Sequence, residues 1–236
     1  KTRDKILNKH TQNKKNFNNI LAIIPVRGEN YGERLVALKK INKTPIIHKL
    51  IIELQKIPNI KKILVSTPDQ KILCNVNKRF KKSVITHKRE EKFARLNTSI
   101  NQTLISSIKK VRTKKFKPDL ILVVNVVCPF LNYKNFEAAI NLIKIFNTDE
   151  IIAVKKENDN FFYHNGKGLK RFQNSNRLSL EREQIFREIG GMRLIKTQRV
   201  GKNQNTVGHI FLDDKSSFII KSNEDLLLAD IMSKIN

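Results

Sequence analysis

Four short stretches of this chain are apolar at almost every position. They read Ile20-Leu21-Ala22-Ile23-Ile24-Pro25, Ile63-Leu64-Val65, Leu120-Ile121-Leu122-Val123-Val124 and Ile151-Ile152-Ala153-Val154. A strand with one wet face alternates apolar and polar residues, whereas a strand covered on both faces does not need to. Continuous apolar runs of this length therefore point to central strands of a parallel sheet sandwiched between helices. The intervening segments fit. Pro45 opens a helix that carries Ile46, Ile47, Leu50, Ile51, Leu54 and Ile57 near helical spacing. Further helices are expected over about 69–79, 98–112 and 133–146, with a short strand at Val84-Ile85-Thr86 and a last helix over about 223–234. Strand and helix alternate through residue 154, which predicts an α/β fold with a doubly wound, mostly parallel sheet. The rhythm then breaks. Residues 156–190 are polar around an aromatic cluster, Phe161, Phe162 and Tyr163, and read as a lid or arm. Residues 1–18 form a basic N-terminal segment, leaving 19–236 as the folded domain.

Composition narrows the function classes. Lys plus Arg is 47 against 21 Asp plus Glu, a net charge of +26. Such a field suits polyanions. The cations are spread along the whole sequence, however, and Trp is absent, so nucleic acid is disfavoured as the main partner and a nucleoside triphosphate suits the charge better. The two cysteines, Cys74 and Cys128, lack metal-ligand spacing. Few cysteines and no visible signal peptide fit a cytoplasmic protein. No apolar run approaches the roughly 20 residues that a membrane span needs.

In an open parallel sheet, ligands bind beyond the carboxyl ends of the strands. The loop after the first strand reads Pro25-Val26-Arg27-Gly28-Glu29-Asn30-Tyr31-Gly32-Glu33-Arg34. Glycines let backbone N–H groups approach a phosphate, and an arginine can grip it with two donors. No Gly-Lys-Ser/Thr follows, so this is not a P-loop. Taken alone, the loop is equally readable as two turn glycines beside a surface arginine.

Several motifs, in order, resemble the cytidylyltransferases that activate acylneuraminate and Kdo. Ile23-Ile24-Pro25-Val26-Arg27-Gly28 resembles that family's opening strand and loop. Ile41-Asn42-Lys43-Thr44-Pro45-Ile46-Ile47 is similar to a stretch of the Kdo enzymes, and the interval from Pro25 to Pro45 matches without a gap. Val65-Ser66-Thr67-Pro68-Asp69, Asn97-Thr98-Ser99-Ile100, Val124 to Phe130, Arg187 to Gly191 and Ser222 to Leu226 continue the series to the C-terminal helix. The resemblance implies a Rossmann-like nucleotidyltransferase that joins CTP to an acidic sugar with Mg²⁺ and releases pyrophosphate, in a homodimer formed through the arm. It implies that Arg27 and Arg34 act on the triphosphate. Gly28, Asn30, Gly32, Lys88, Ser99 and Asn125 would bind the nucleotide. Arg182, Gln184 and Arg187, in the lid, would hold the sugar acid.

The chain also departs from the family. Where the first loop would carry lysines, it has Tyr31, Leu35 and Val36; Arg34, Lys39 or Lys40 would substitute. Where the sialic acid enzymes keep a metal-binding aspartate pair, it has Ile219 and Lys221. Asp213 and Asp214, just upstream, are the candidate metal ligands, with an Asp-Asp-Lys turn as the plainer reading. Two other readings stay open: a nucleotidyltransferase for another nucleotide or acid, and a fold that binds without catalysis.

Overall fold

A computed structural model describes residues 17–28, 36–95, 97–157, 159–172 and 184–235. Seven strands form one sheet in the order β11-β7-β10-β6-β1-β4-β5. Their spans are β1 Ile20–Pro25, β4 Ile60–Thr67, β5 Ile85–Lys88, β6 Leu120–Val124, β7 Glu150–Glu157, β10 Ile185–Lys196 and β11 Val207–Phe211. Pairing is parallel between β1 and β4, β1 and β6, β4 and β5, and β7 and β11. β10 runs antiparallel to both β6 and β7. Six strands thus point one way and β10 alone points back. The sheet is the mostly parallel, helix-flanked one that the apolar runs imply. The minor strands are β2 Lys40–Ile41 with β3 Thr44–Pro45, and β8 Phe162–His164 with β9 Leu169–Arg171.

Among the described residues, five helices flank the strands: α1 Ile46–Gln55, α2 Gln70–Phe80, α3 Ile100–Val111, α4 Tyr133–Phe146 and α5 Asn223–Met232. Their starts are written in the sequence. Asp69 caps α2 by accepting from the N–H groups of Lys71 and Ile72. Asn132 and Asn135 form a reciprocal capping box on α4, and Ser222 and Asp225 form another on α5. A buried strand of the central sheet feeds both faces. Ile20, Ala22 and Ile24 of β1 enter the larger core with α1, α2 and α4, while Leu21 and Ile23 enter the smaller core under α3. All five are fully buried, which is why β1 shows no alternation.

The polar region after β7 resolves into two parts. Residues 162–171 form the small β8–β9 hairpin, with Phe162, Tyr163 and Leu169 exposed. Residues 185–190, read from sequence as the end of the lid, belong to β10 and pair with β7 over Ile185–Glu188. The pairing then breaks: Glu188 faces Val154 but the next matched residue, Arg193, faces Ile152. The extra residues bulge beside the end of β6, where they wall the candidate site.

Candidate active site

β1, β4, β5 and β6 all end on one edge of the sheet. There, a cavity of about 330 Å³ is lined by Pro25, Arg27, Arg89, Phe93, Asn125 and Gly191, among others. The loop after β1 begins as an extension of the sheet, with the Val26 N–H donating to the Ser66 carbonyl at 2.9 Å. Arg27 follows, half-buried on the cavity wall. Gly28 then adopts φ +91°, and a side chain there would meet Asp69 Cβ at 3.2 Å. A positive φ and a close neighbour together explain why glycine stands at that turn.

Arg89 sits directly after β5 and is only 4% exposed. Its Nη1 donates to Thr103 Oγ1 at 2.9 Å and its Nη2 to the Val26 carbonyl at 2.8 Å. The guanidinium therefore joins the end of β5, the start of α3 and the β1 loop at the cavity wall. Beside it, His87 Nδ1 lies 3.4 Å from Ser66 Oγ. Burial, reinforced by the charges of Lys110 and Arg89, holds His87 below its ordinary pKa.

Asn125 follows β6. Its N–H donates to the Gly191 carbonyl at 2.8 Å, and its Oδ1 accepts from the Val127 N–H at 3.2 Å. Gly191 is required by packing: a Cβ there would lie 2.6 Å from Cys128 Sγ. Cys128 itself is fully buried, which pushes its thiol up to about 12. On its other side, Asn125 lines a second, larger cavity of about 700 Å³ with Val36, Lys39, Lys221, Ser222 and Glu224. The Ile220 N–H, donating to the Val127 carbonyl at 2.8 Å, fixes this wall to the β6 loop. Arg27 borders the first cavity and Val36 the second.

The residues singled out from sequence are distributed as follows. Arg27 and Asn125 share the first cavity, whereas Gly28 packs against Asp69 and Pro68 and does not line it. Asn30, Gly32, Arg34 and Arg182 lie outside the described residues. Lys88 is exposed as the last residue of β5, and its neighbour Arg89 takes the wall position. A one-residue offset in a strand turns a side chain to the other face. Ser99 caps α3 by accepting from the Asn101 N–H, while the flanking Thr98 and Ile100 line the cavity. Gln184 is exposed just before β10. Arg187 is exposed and paired with Glu157, whereas Glu188 and Arg193 of the same strand reach the cavity. Arg193 Nε donates to Glu150 Oε2 at 2.9 Å. Arg89, Arg193 and Lys221 are the site cations that the sequence reading did not select.

Asp213 and Asp214 form a turn after β11. The Asp213 Oδ1 accepts from the Ser216 N–H at 2.6 Å. The Lys155 ammonium, 2.8 Å away, holds Asp214 below the usual carboxylate range. Neither lines either cavity. Among the described residues, no three of His, Cys, Asp and Glu come together as a ligand set. Glu188 and Glu224 line different cavities, and Asp225 Oδ2 accepts from the N–H groups of Lys221 and Ser222. These residues do not build a magnesium cage, so no chemical step is assigned to a protein-held metal. No described helix is long and apolar enough to cross a membrane.

No protein-family model and no curated protein matches the sequence. Solved structures match the fold over nearly its whole length. The 4-diphosphocytidyl-2C-methyl-D-erythritol synthase from Anaerococcus prevotii DSM 20548 superposes with a TM-score of 0.69 at 12% identity, covering 94% of this chain and 98% of its own. CMP:2-keto-3-deoxy-manno-octonic acid synthetase, solved with CTP, gives 0.65 at 11% identity, covering 92% and 99%. A further 4-diphosphocytidyl-2C-methyl-D-erythritol synthase structure gives 0.66 at 11%, covering 91% and 98%. At these identities the likeness establishes the fold, and the chain is built on the α/β scaffold that these synthases share, as the ordered Kdo-type motifs anticipate.

Proposed function

We propose that this protein is a cytidylyltransferase that transfers CMP from CTP to an acidic sugar and releases pyrophosphate. The observation that carries the reading is the meeting of Arg27 and Asn125 in one cavity at the carboxyl ends of β1 and β6. The scaffold is also that of a synthetase solved with CTP. In the reaction, a sugar hydroxyl oxygen bonds to the α-phosphorus as the bond from that phosphorus to the β-phosphate oxygen breaks. The electron pair leaves with pyrophosphate, and the hydroxyl proton passes to solvent. Little covalent chemistry is asked of the protein; it must position the two substrates and neutralise phosphate charge.

Arg27 supplies a cation beside the phosphates. Arg89, held through Thr103 and the Val26 carbonyl, fixes the loop that presents Arg27. Asn125, at the boundary of the two hollows, orients the groups that meet there. Lys39 and Lys221, on the wall of the second cavity, suit the carboxylate of an acidic sugar. Mg²⁺ takes few protein carboxylates and usually arrives with substrate phosphates. Here it would enter as the Mg²⁺ complex of CTP, where it shields the triphosphate charge.

The test is pyrophosphate release from CTP, ATP, GTP and UTP with Mg²⁺. Each nucleotide is paired with 3-deoxy-2-keto sugar acids and with the 4-phosphate of 2-C-methyl-D-erythritol. Release with CTP and a sugar acid only is the expected result. Release with the erythritol phosphate alone keeps the nucleotide and changes the acceptor. A second reading is a binding protein without catalysis; the first loop's Tyr31, Leu35 and Val36, standing where the family has lysines, favour it. That reading gains if no pair releases pyrophosphate and CTP binding is indifferent to Mg²⁺.

A further inference from the structure

A third hollow opens at the opposite end of the sheet, where β1 and β6 begin and β10 ends. It measures about 440 Å³ and has an apolar side made by Phe17, Ile108 and Pro118. Arg112, Lys117 and Lys196 also line it. These three cations are not equivalent. Lys196 is buried, and its ammonium is already spent: it donates to the Asn147 carbonyl at 2.8 Å and lies 3.5 Å from Asp149. Arg112 and Lys117 are exposed, and no ion pair joins either to a carboxylate among the described residues. The acid on the wall, Asp119, accepts the Asn19 N–H at 3.1 Å. Thr197, also on the wall, has a buried hydroxyl without a hydrogen-bond partner among the described residues.

The approach to this hollow is strongly positive. From Lys109 to Lys117 the chain carries Lys109, Lys110, Arg112, Lys114, Lys115 and Lys117 and no acid. The segment is not a floppy tail. Thr113 and Phe116 exchange backbone hydrogen bonds at 3.0 and 3.3 Å, and the Lys62 ammonium stands 4.4 Å over the buried Phe116 ring. A fixed turn thus presents cations around a concave site with an apolar side. Like charges held together without partners raise the local potential and favour an anion. The volume and mixed lining suit a small molecule. A strand of nucleic acid would use the positive rim but has less need of the hollow. Residues 1–16 carry six cations and one acid, so their charge does not suit them to fill it.

We propose that this hollow binds a phosphate-bearing small molecule, with the anion between Arg112 and Lys117 and an apolar body against Phe17, Ile108 and Pro118. The site is separate from the strand-end cavities and does not depend on the chemistry assigned to them.

The experiment is calorimetric titration of the full chain with phenyl phosphate and with inorganic phosphate, at low ionic strength and without divalent metal. Phenyl phosphate is expected to bind more tightly than inorganic phosphate because it also covers the apolar side. The exposed pair Arg112→Ala/Lys117→Ala is expected to weaken phenyl phosphate by about tenfold or more, the scale of losing charge-assisted contacts. Lys78→Ala/Lys82→Ala, which removes the same charge from exposed positions outside the hollow, should leave it unchanged. Circular dichroism checks that each variant is folded. The proposal is overturned if the charge-matched pair weakens binding equally, or if phenyl phosphate shows no advantage over phosphate. It is also overturned if only an oligonucleotide responds to Arg112 and Lys117, with a steep salt dependence.

Discussion

Arg89 Nη2 donates to the Val26 carbonyl at 2.8 Å, so the end of β5 is bonded to the loop that follows β1. The same guanidinium holds Thr103 on α3. Three elements at the candidate site therefore share one buried side chain. Arg89→Ala would leave the Val26 carbonyl and the Thr103 hydroxyl without this donor. We expect a loss of about 2–4 kcal/mol in urea unfolding, within the range for breaking a buried hydrogen-bonded charge. Arg89→Lys should recover only part of it, because a lysine cannot reproduce the two-pronged geometry. Full stability in Arg89→Ala would show that the linkage is incidental.

Arg27 behaves differently. It is half-buried on the cavity wall and no ion pair to it is seen among the described residues. Arg27→Ala should lower kcat/KM for CTP by about 2–4 kcal/mol in transition-state terms, the scale of one preorganised charge contact. The urea midpoint should stay close to that of the parent. Unchanged kinetics would remove Arg27 from the triphosphate.

The Cys128 thiol gives a pH signature. Burial raises its pKa from 9.0 to about 12, so the folded state keeps the proton after the unfolded state has lost it. The contribution of this group is complete below pH 9 and is lost as pH rises toward 12. The slope is at most about 1.4 kcal/mol per pH unit. Cys128→Ala should flatten that part of the stability profile. In the native protein a thiol reagent at neutral pH should modify the exposed Cys74 and spare Cys128; denaturation should release the second thiol.

Gly191 is held to its identity by the same thiol. Gly191→Ala would push a methyl to within 2.6 Å of Cys128 Sγ, and overpacking of this kind costs about 1–3 kcal/mol. Because Gly191 also bonds Asn125, nucleotide affinity should fall with stability. Pairing Gly191→Ala with Cys128→Ala should regain a share of both. If the double variant is no better than Gly191→Ala, the clash is not the cause.

The β8–β9 hairpin supplies a prediction about assembly. Phe162, Tyr163 and Leu169 are exposed on a two-stranded ribbon, an arrangement that gains from being covered. Light scattering should give a dimer for the intact chain, and Phe162→Lys/Leu169→Lys should shift it to a monomer with unchanged circular dichroism. A parent protein that scatters as a monomer would reject the arm as an interface.

The sequence displays some of this architecture better than the rest, for physical reasons. β1 and β6 are legible because both of their faces are buried, and only apolar residues tolerate that. β10 is harder to see. Its first residues, Ile185 to Glu188, stand at a partly wet edge and include charged side chains, and a bulge interrupts the periodicity before Met192. At the site, Arg27 and Asn125 are found by the rule that ligands gather beyond strand ends. Arg89 is missed by one position because Lys88 and Arg89 carry the same charge. Only the path of the backbone decides which of them turns inward. Arg193 and Lys221 come from distant parts of the chain, and no local spacing announces that each lines one of the two cavities that share Asn125.

The position of β10 also sets a timetable. β7 pairs only with β10 and β11, both of which follow it in the chain. On a ribosome, β1, β4, β5 and β6 can assemble as soon as residue 124 has emerged. The Ile151–Val154 segment must wait until β10 arrives and inserts between it and β6. During that interval the nascent chain carries two open sheet edges, on β6 and β7, each rich in Ile, Leu and Val. Such edges are templates for intermolecular pairing. Premature termination between residues 157 and 185 would make the delay permanent, and the truncated product would be a substrate for chaperones rather than a smaller folded domain.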